Sequence, residues 1–211
     1  MIEVLIADDH PLVLKGLAGI LADTPDIRAV GAAGSGAEVL EQIHARDFAV
    51  VTLDLGMPGL SGLELIKQLH QEKPRLPVLV ISIYPEEQYA ARCLKAGASG
   101  YLNKTSAPEE LVGAVRALAA GRPYVTDALS EWMARELQRP NADALPHERL
   151  SDREYEVMLL LARGLTVSEI GEQLFLSVKT VSTYRTRILH KTGWENNAQL
   201  MRYAFERGLN Q

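Results

Sequence analysis

The chain holds one cysteine, Cys93, among 211 residues. No internal disulfide can form, and no metal site built on several thiolates is possible. A reducing compartment fits this scarcity, and Cys93, set among alanines in a predicted helix, reads as a packed thiol. Long apolar runs are also missing: none approaches the roughly 20 residues a helix needs to span a bilayer. The start, Met1-Ile2-Glu3-Val4, lacks the charged-then-apolar order of a secretion signal. The expectation is a cytoplasmic protein with no membrane span. A basic excess is absent too, since 22 Lys and Arg face 27 Asp and Glu for a net charge of −5. Whole-chain charge therefore gives no pointer to nucleic acid. Neither repeats nor low-complexity tracts interrupt the chain.

What the chain does have is 47% hydrophobic residues, ample for one large domain or two small ones. Its charge is uneven. Residues 1–123 carry 11 Lys and Arg against 15 acids, residues 124–147 carry 2 against 4, and residues 148–211 carry 9 against 8. Within the last part, Val178 to Thr192 holds Lys179, Arg185, Arg187 and Lys191 with no acid at all. That helix-length segment, unlike the whole chain, suggests a polyanion partner.

Ala49 to Leu53 is a short apolar run rich in β-branched residues, as a strand buried on both faces reads. It ends on Asp54, followed by the turn residues Gly56, Pro58 and Gly59. Similar runs are Glu3–Ala7, Ile27–Ala33, Pro77–Ile81 and Gly100–Asn103. Between them lie helical patterns: one opened by Pro11 with Leu12, Val13, Leu17, Ile20 and Leu21 as its apolar stripe, and one capped by Ser35 with Val39, Leu40 and Ile43. Three more run from Gly62 to Glu72, from Glu86 to Ala96 before Gly97, and from Pro108 to Ala120 before Gly121. Strand and helix alternating five times predict an α/β doubly wound, five-stranded parallel sheet. Thr126 to Arg139 has helical spacing, and the polar, proline-bracketed Arg139 to His147 reads as a linker. Ser151-Asp152-Arg153-Glu154 has the form of a capping box. Four helical patterns follow, starting near Ser151, Val167, Val178 and Asn197. The division is therefore 1–123, 124–147 and 148–211.

Four strand ends carry Asp8-Asp9, Asp54, Ser82 and Lys104, and in a parallel sheet these ends meet on one rim. An Asp after a strand is commonly a turn former or cap, and Lys104 or Ser82 alone has an equally plain explanation. Together they suggest more. Clustered carboxylates demand a counter-charge, and all-oxygen ligation favours Mg²⁺. In such a pocket Asp54 can act as nucleophile toward phosphorus while Lys104 and Ser82 hold phosphoryl oxygens. His10, beside the two aspartates, reads as a capping or packing residue.

On these motifs, residues 1–123 resemble the receiver domain of bacterial two-component response regulators. The resemblance implies a flavodoxin-like fold and a sensor histidine kinase that donates its phosphoryl group to Asp54. It implies a metal site of Asp8, Asp9, Asp54 and the Gly56 carbonyl, with Asp9 the direct ligand of the acidic pair. It also makes Ser82 and Tyr101 a switch pair, with Tyr101 swinging inward, and Lys104 a phosphate contact. Thr105 departs from the pattern, since many receivers have proline after the lysine. Hydrolases that pass through an aspartyl phosphate carry a second acid two residues past the nucleophile. Gly56 stands there, so the reading is a regulator and not an enzyme.

The segment Thr166 to Ser182 has the cadence of helix, tight turn, helix, with Ile170, Leu174, Leu176, Val181 and Ile188 as a shared core. Its second helix presents Lys179, Ser182, Thr183, Thr186 and His190 on one stripe, flanked by Arg185 and Arg187. Short hydroxyls suit base edges and cations suit phosphates. The segment resembles the LuxR-type, all-α, four-helix helix-turn-helix domain of NarL/FixJ regulators. The match lies in Leu150-Ser151-Asp152-Arg153-Glu154, Ala162-Arg163-Gly164, Glu169-Ile170 and Leu176 to Ser182, with Thr180 to Tyr184 most like the BvgA/UvrY branch. It implies double-stranded DNA as partner, Lys179, Thr180, Ser182, Thr183, Arg185, Thr186, Arg187 and Lys191 as contacts, and a homodimer on phosphorylation. The last helix, Asn197 to Arg207, is its expected dimer surface. Gly171, where the family usually has alanine, and Thr192-Gly193-Trp194 are departures.

Overall fold

The computed structural model describes residues 1–60, 62–126, 129–130 and 145–209. They fall into two compact units, Met1–Leu137 and Gln138–Gln211. In the first, strands β1 (Ile2–Ala7), β2 (Ile27–Ala33), β3 (Val50–Leu53), β4 (Val78–Ser82) and β5 (Gly100–Asn103) alternate with helices α1 (Pro11–Ala22), α2 (Gly36–Ala45), α3 (Gly62–Glu72), α4 (Glu86–Ala96) and α5 (Pro108–Ala119). All pairings are parallel, in the order β2-β1-β3-β4-β5. The chain leaves β1 toward β2 and then crosses to β3 on the other side. That reversal opens a crevice at the carboxyl ends of β1 and β3.

Side chains alternate between the two faces of each strand, and both faces are covered by helices. Val4, Ile6, Val50, Leu79, Ile81 and Leu102 join Leu21 of α1 and Leu111, Val115 and Leu118 of α5 in one core. α2, α3 and α4 form the layer on the opposite face. β3 and β4 are buried along their whole length. Local signals set the helix ends. Pro11 opens α1, the Ser35 hydroxyl accepts from the Glu38 amide, and Gly97 closes α4 at φ 113°, a conformation that favours glycine. One expectation fails: Leu12, assigned to the inner stripe of α1, is 83% exposed. Leu12 lies about two and a half turns before the buried Leu21, so the helical period sets it on the outer face, and Leu14, Leu17 and Ala18 share the inner face with Leu21.

In the second unit a short 3-10 turn (Pro146–Arg149) precedes α6 (Asp152–Ala162), α7 (Val167–Gln173), α8 (Val178–Thr192) and α9 (Asn197–Glu206). α6 is buried from Tyr155 through Ala162 save Glu156, because α7, α8 and α9 all pack on it. Ser151 with Glu154, and Thr166 with Glu169, close capping boxes at α6 and α7. Most of the expected linker, and of the helix expected over Thr126–Arg139, lies outside the described residues. Leu145–His147, expected as linker, instead enters the 3-10 turn, and the His147 Nδ1 lies 2.7 Å from the Tyr203 hydroxyl of α9. Tyr203 also packs on Trp194 at a tilt of 44°, with ring centroids 4.8 Å apart, which gives the tryptophan at that departure from the family pattern a packing partner. Gly171 has a steric reason as well. A Cβ there would lie 2.7 Å from the Leu176 carbonyl oxygen, where the turn between α7 and α8 folds back through Phe175 at φ 55°.

Candidate phosphoacceptor pocket and nucleic-acid interface

The strand ladder itself brings the pocket together. The Asp8 amide donates to the Ala33 carbonyl, Asp54 to Ala7, and Lys104 to Ser82, so each residue is held one step past a paired strand. Asp8, Asp54 and Ser82 are 1%, 5% and 0% exposed. The Lys104 Nζ donates to Asp8 Oδ2 at 2.6 Å and lies 3.2 Å from Asp54 Oδ1. Carboxylate oxygens of Asp8, Asp9 and Asp54 and a ring nitrogen of His10 all lie within 4.8 Å of one another. This hard, mostly oxygen donor set is compatible with a divalent metal. A Cβ on Gly56 would lie 3.2 Å from Asp54 Oδ2, so glycine keeps that flank of the carboxylate open.

Electrostatics divide the roles. Burial pushes the Asp54 carboxyl above its usual range, Lys104 opposes this, and the Asp8 and Asp9 charges add to it. Burial alone would push the Lys104 ammonium down. The hydrogen bond to Asp8 and the Asp54 and Asp8 charges more than reverse that, so the ammonium stays charged. A buried carboxylate beside a fixed ammonium can attack an electrophile whose oxygens that ammonium then receives.

The neighbourhood of Ser82 and Tyr101 adds a residue that the sequence reading missed. The Tyr84 amide donates to Ser82 Oγ at 3.2 Å, and the Tyr84 carbonyl accepts from the Tyr101 hydroxyl at 2.8 Å. Tyr101, expected to swing inward, is fully buried here, and burial drives its hydroxyl pKa far up. A backbone amide and carbonyl carry Tyr84's role, so its residue type gave no signal. His10 stands at the N-cap position of α1, as expected of a residue at a helix start, but its side chain makes no capping bond, and its Nδ1 lies 2.8 Å from Asp9 Oδ1 and 3.3 Å from Asp8 Oδ1. Thr105 uses its amide, which proline would lack, to reach Asn103 Oδ1 at 2.9 Å, and no cis peptide occurs among the described residues.

On α8, Lys179, Ser182, Thr183, Thr186, Arg187 and His190 are exposed, while Val181 and Ile188 point into the core. The Thr183 and Thr186 hydroxyls donate to the carbonyls of Lys179 and Ser182, leaving lone pairs to accept from outside. Thr180 belongs to the helix start, its hydroxyl 2.8 Å from that of Ser177, the N-cap. Two expected contacts also make hydrogen bonds within the domain. Arg185 Nε donates to Asn197 Oδ1, and Lys191 Nζ donates to Glu154 Oε2, each at 2.6 Å.

Residues 4–116 match the response regulator receiver domain, and residues 148–204 match the luxR family of bacterial regulatory proteins. The chain belongs to the response regulators that join these two domains, a family of transcription regulators rather than a class of enzymes. It is 36% identical over 209 residues to response regulator UvrY of Escherichia coli, spanning 99% of this chain and 96% of that one. It is 35% identical to response regulator GacA of Pseudomonas aeruginosa, spanning 99% and 98%. Among solved structures, RcsB of Salmonella enterica serovar Typhimurium bound to promoter rprA in the presence of phosphomimetic BeF3− aligns at TM-score 0.67 and 30% identity, covering 96% of this chain and 98% of that one. Among the described residues no helix is long and apolar enough to cross a membrane.

Proposed function

We propose that a sensor histidine kinase transfers a phosphoryl group to Asp54, and that this transfer governs dimerisation and sequence-specific binding to double-stranded DNA. The observation that carries the reading is Lys104 Nζ standing 2.6 Å from Asp8 Oδ2 and 3.2 Å from Asp54 Oδ1 in a chain of this family. Asp8, Asp9, Asp54 and the Gly56 carbonyl would hold Mg²⁺, which when bound neutralises the carboxylates and the incoming phosphoryl oxygens. The Asp54 carboxylate attacks phosphorus, and the bond from phosphorus to the donor histidine nitrogen breaks, with the electron pair returning to that nitrogen. Lys104 turns its ammonium to one phosphoryl oxygen, and Ser82 donates its hydroxyl to another. Tyr101 follows through the Tyr84 carbonyl, so the new charge biases the face formed by α4, β5 and α5.

The receiver spans 1–123, the helix and linker 124–147, and the reading head 148–211. In that head Lys179 and Arg187 hold phosphates while Thr180, Ser182, Thr183 and Thr186 face bases. α9 is the dimer surface, and symmetric pairing on two half-sites supplies the specificity that one small head lacks. The exchange belongs to the cytoplasm. That RcsB is solved on promoter DNA with a phosphomimetic supports the reading. The test combines Mg²⁺, a small-molecule phosphoryl donor and intact-mass measurement. Wild type should gain one phosphoryl group and bind specific duplex more tightly as a dimer. Undiminished uptake by Asp54→Ala would overturn the assignment.

A further inference from the structure

We infer that the Glu86–Thr126 hydrogen bond carries the state of the phosphoacceptor pocket to the segment that leads out of the receiver. The inference rests on the reading of Asp54 given above and names its route of regulation.

The route begins at Ser82, the last residue of β4. Its Oγ accepts from the Tyr84 amide at 3.2 Å, and the Tyr84 carbonyl accepts from the Tyr101 hydroxyl at 2.8 Å and from Asn103 Nδ2 at 3.4 Å. Pro85 follows with its φ fixed near −58°, and Glu86 opens α4. A connection so short and so tied down has little room to absorb a displacement of Ser82. Glu86 Oε1 in turn accepts from the Thr126 hydroxyl at 2.8 Å.

Thr126 also starts a helical turn. Its Oγ1 accepts from the Leu129 amide at 3.2 Å and its carbonyl from the Ser130 amide at 2.9 Å, with Leu129 buried. Just upstream, the Tyr124 amide donates to the Ser99 carbonyl at 3.0 Å, beside Gly100. A Cβ on Gly100 would lie 2.8 Å from the Tyr124 carbonyl oxygen, so this anchor on the edge of β5 is close. Thr126 therefore stays with β5, while Glu86 moves with the β4–α4 connection. A hydroxyl that donates to a carboxylate accepts more strongly, and a negative charge beside a helix start is favourable. Glu86 thus firms the turn at Leu129 and Ser130. Once Ser82 turns to a phosphoryl oxygen, Tyr84, Pro85 and Glu86 shift against the anchored Thr126, and the turn loosens.

The test uses the full chain with Mg²⁺, with and without beryllofluoride. Amide exchange at Leu129 and Ser130 and affinity for a specific duplex are followed in wild type, Glu86→Ala, Thr126→Val and the double variant. In wild type, beryllofluoride should speed those amides by about tenfold, the lower end of what one hydrogen bond to a charged group can carry. In either single variant they should already be fast and no longer respond, and the gain in DNA affinity should shrink to a similar degree. The double variant should match the singles, and Thr126→Ser should restore the response. Additive losses, or Glu86→Ala answering beryllofluoride as wild type does, would overturn the coupling alone. A wild type whose Lys104 and Asp54 amides do not respond to beryllofluoride would sink the reading of Asp54, and the coupling with it.

Discussion

Lys191 is the residue on which sequence and structure disagree most usefully. By position it is a phosphate contact at the end of the recognition helix. In the fold its ammonium donates to Glu154 Oε2 at 2.6 Å, with the Lys191 side chain 42% exposed and Glu154 only 3%. Burial alone would raise the Glu154 carboxyl, yet the bond from Lys191 and those from Ser151 hold it below the usual range. Lys191→Met would leave a buried carboxylate without its cation. A hydrogen bond to a charged group is worth about 1.5–3 kcal/mol, and the half-exposed lysine lowers the expected loss to about 1–2 kcal/mol. In a domain this small that is a fall in Tm of about 4–15 °C. Because the folded Glu154 pKa is depressed, the pair stabilises fully above the unfolded value of about 4.3, and its contribution fades as pH falls through the folded value. The gap between wild type and variant should therefore be wide at pH 7 and close in acid. Calorimetry across that range, with DNA titrations at several salt concentrations, is the assay. An unchanged Tm at pH 7, with the salt slope reduced by about 0.9, would make Lys191 a phosphate contact and refute the reasoning.

Asp54→Asn removes a buried charge whose carboxyl is raised by burial. Such a group favours the fold when protonated, fully below about pH 4, and that contribution is lost as pH rises through its folded value. The variant, free of divalent metal, should therefore resist urea better than wild type at pH 7, with the gain vanishing toward pH 4. Gly171→Ala should destabilise the second unit by about 1–3 kcal/mol despite a helix-propensity gain of about 1 kcal/mol, because its Cβ meets the Leu176 carbonyl; a raised melting temperature would contradict this. Arg187→Ala should weaken all duplexes alike and flatten the salt dependence, whereas Thr183→Ala should alter base preference. Parallel titrations on specific and random duplexes separate the two.

The elements and their ends were legible because their causes are local. Buried runs read as strands, the spacing of apolar residues as helices, and Ser35 and Ser151 as caps, and these agree with the structure to within a residue or two. Tyr84 was not legible, since its part is played by an amide and a carbonyl that every residue but proline owns. The exposure of Leu12 was legible too: it stands about two and a half turns from Leu21, on the opposite face of α1, and grouping it with the inner stripe overlooked the period.

The sequence by itself determined that polar residues terminate four of the parallel strands, and parallel strands carry such ends to a common rim. Asp8, Asp54, Ser82 and Lys104 therefore needed only the topology to meet. Tertiary structure alone decided what the long or rotatable side chains touch. It sends Arg185 to Asn197, Lys191 to Glu154 and Thr126 to Glu86. These partners lie on separate elements or past a turn, and a side chain with several open rotamers takes its partner from whatever the packed backbone brings within reach.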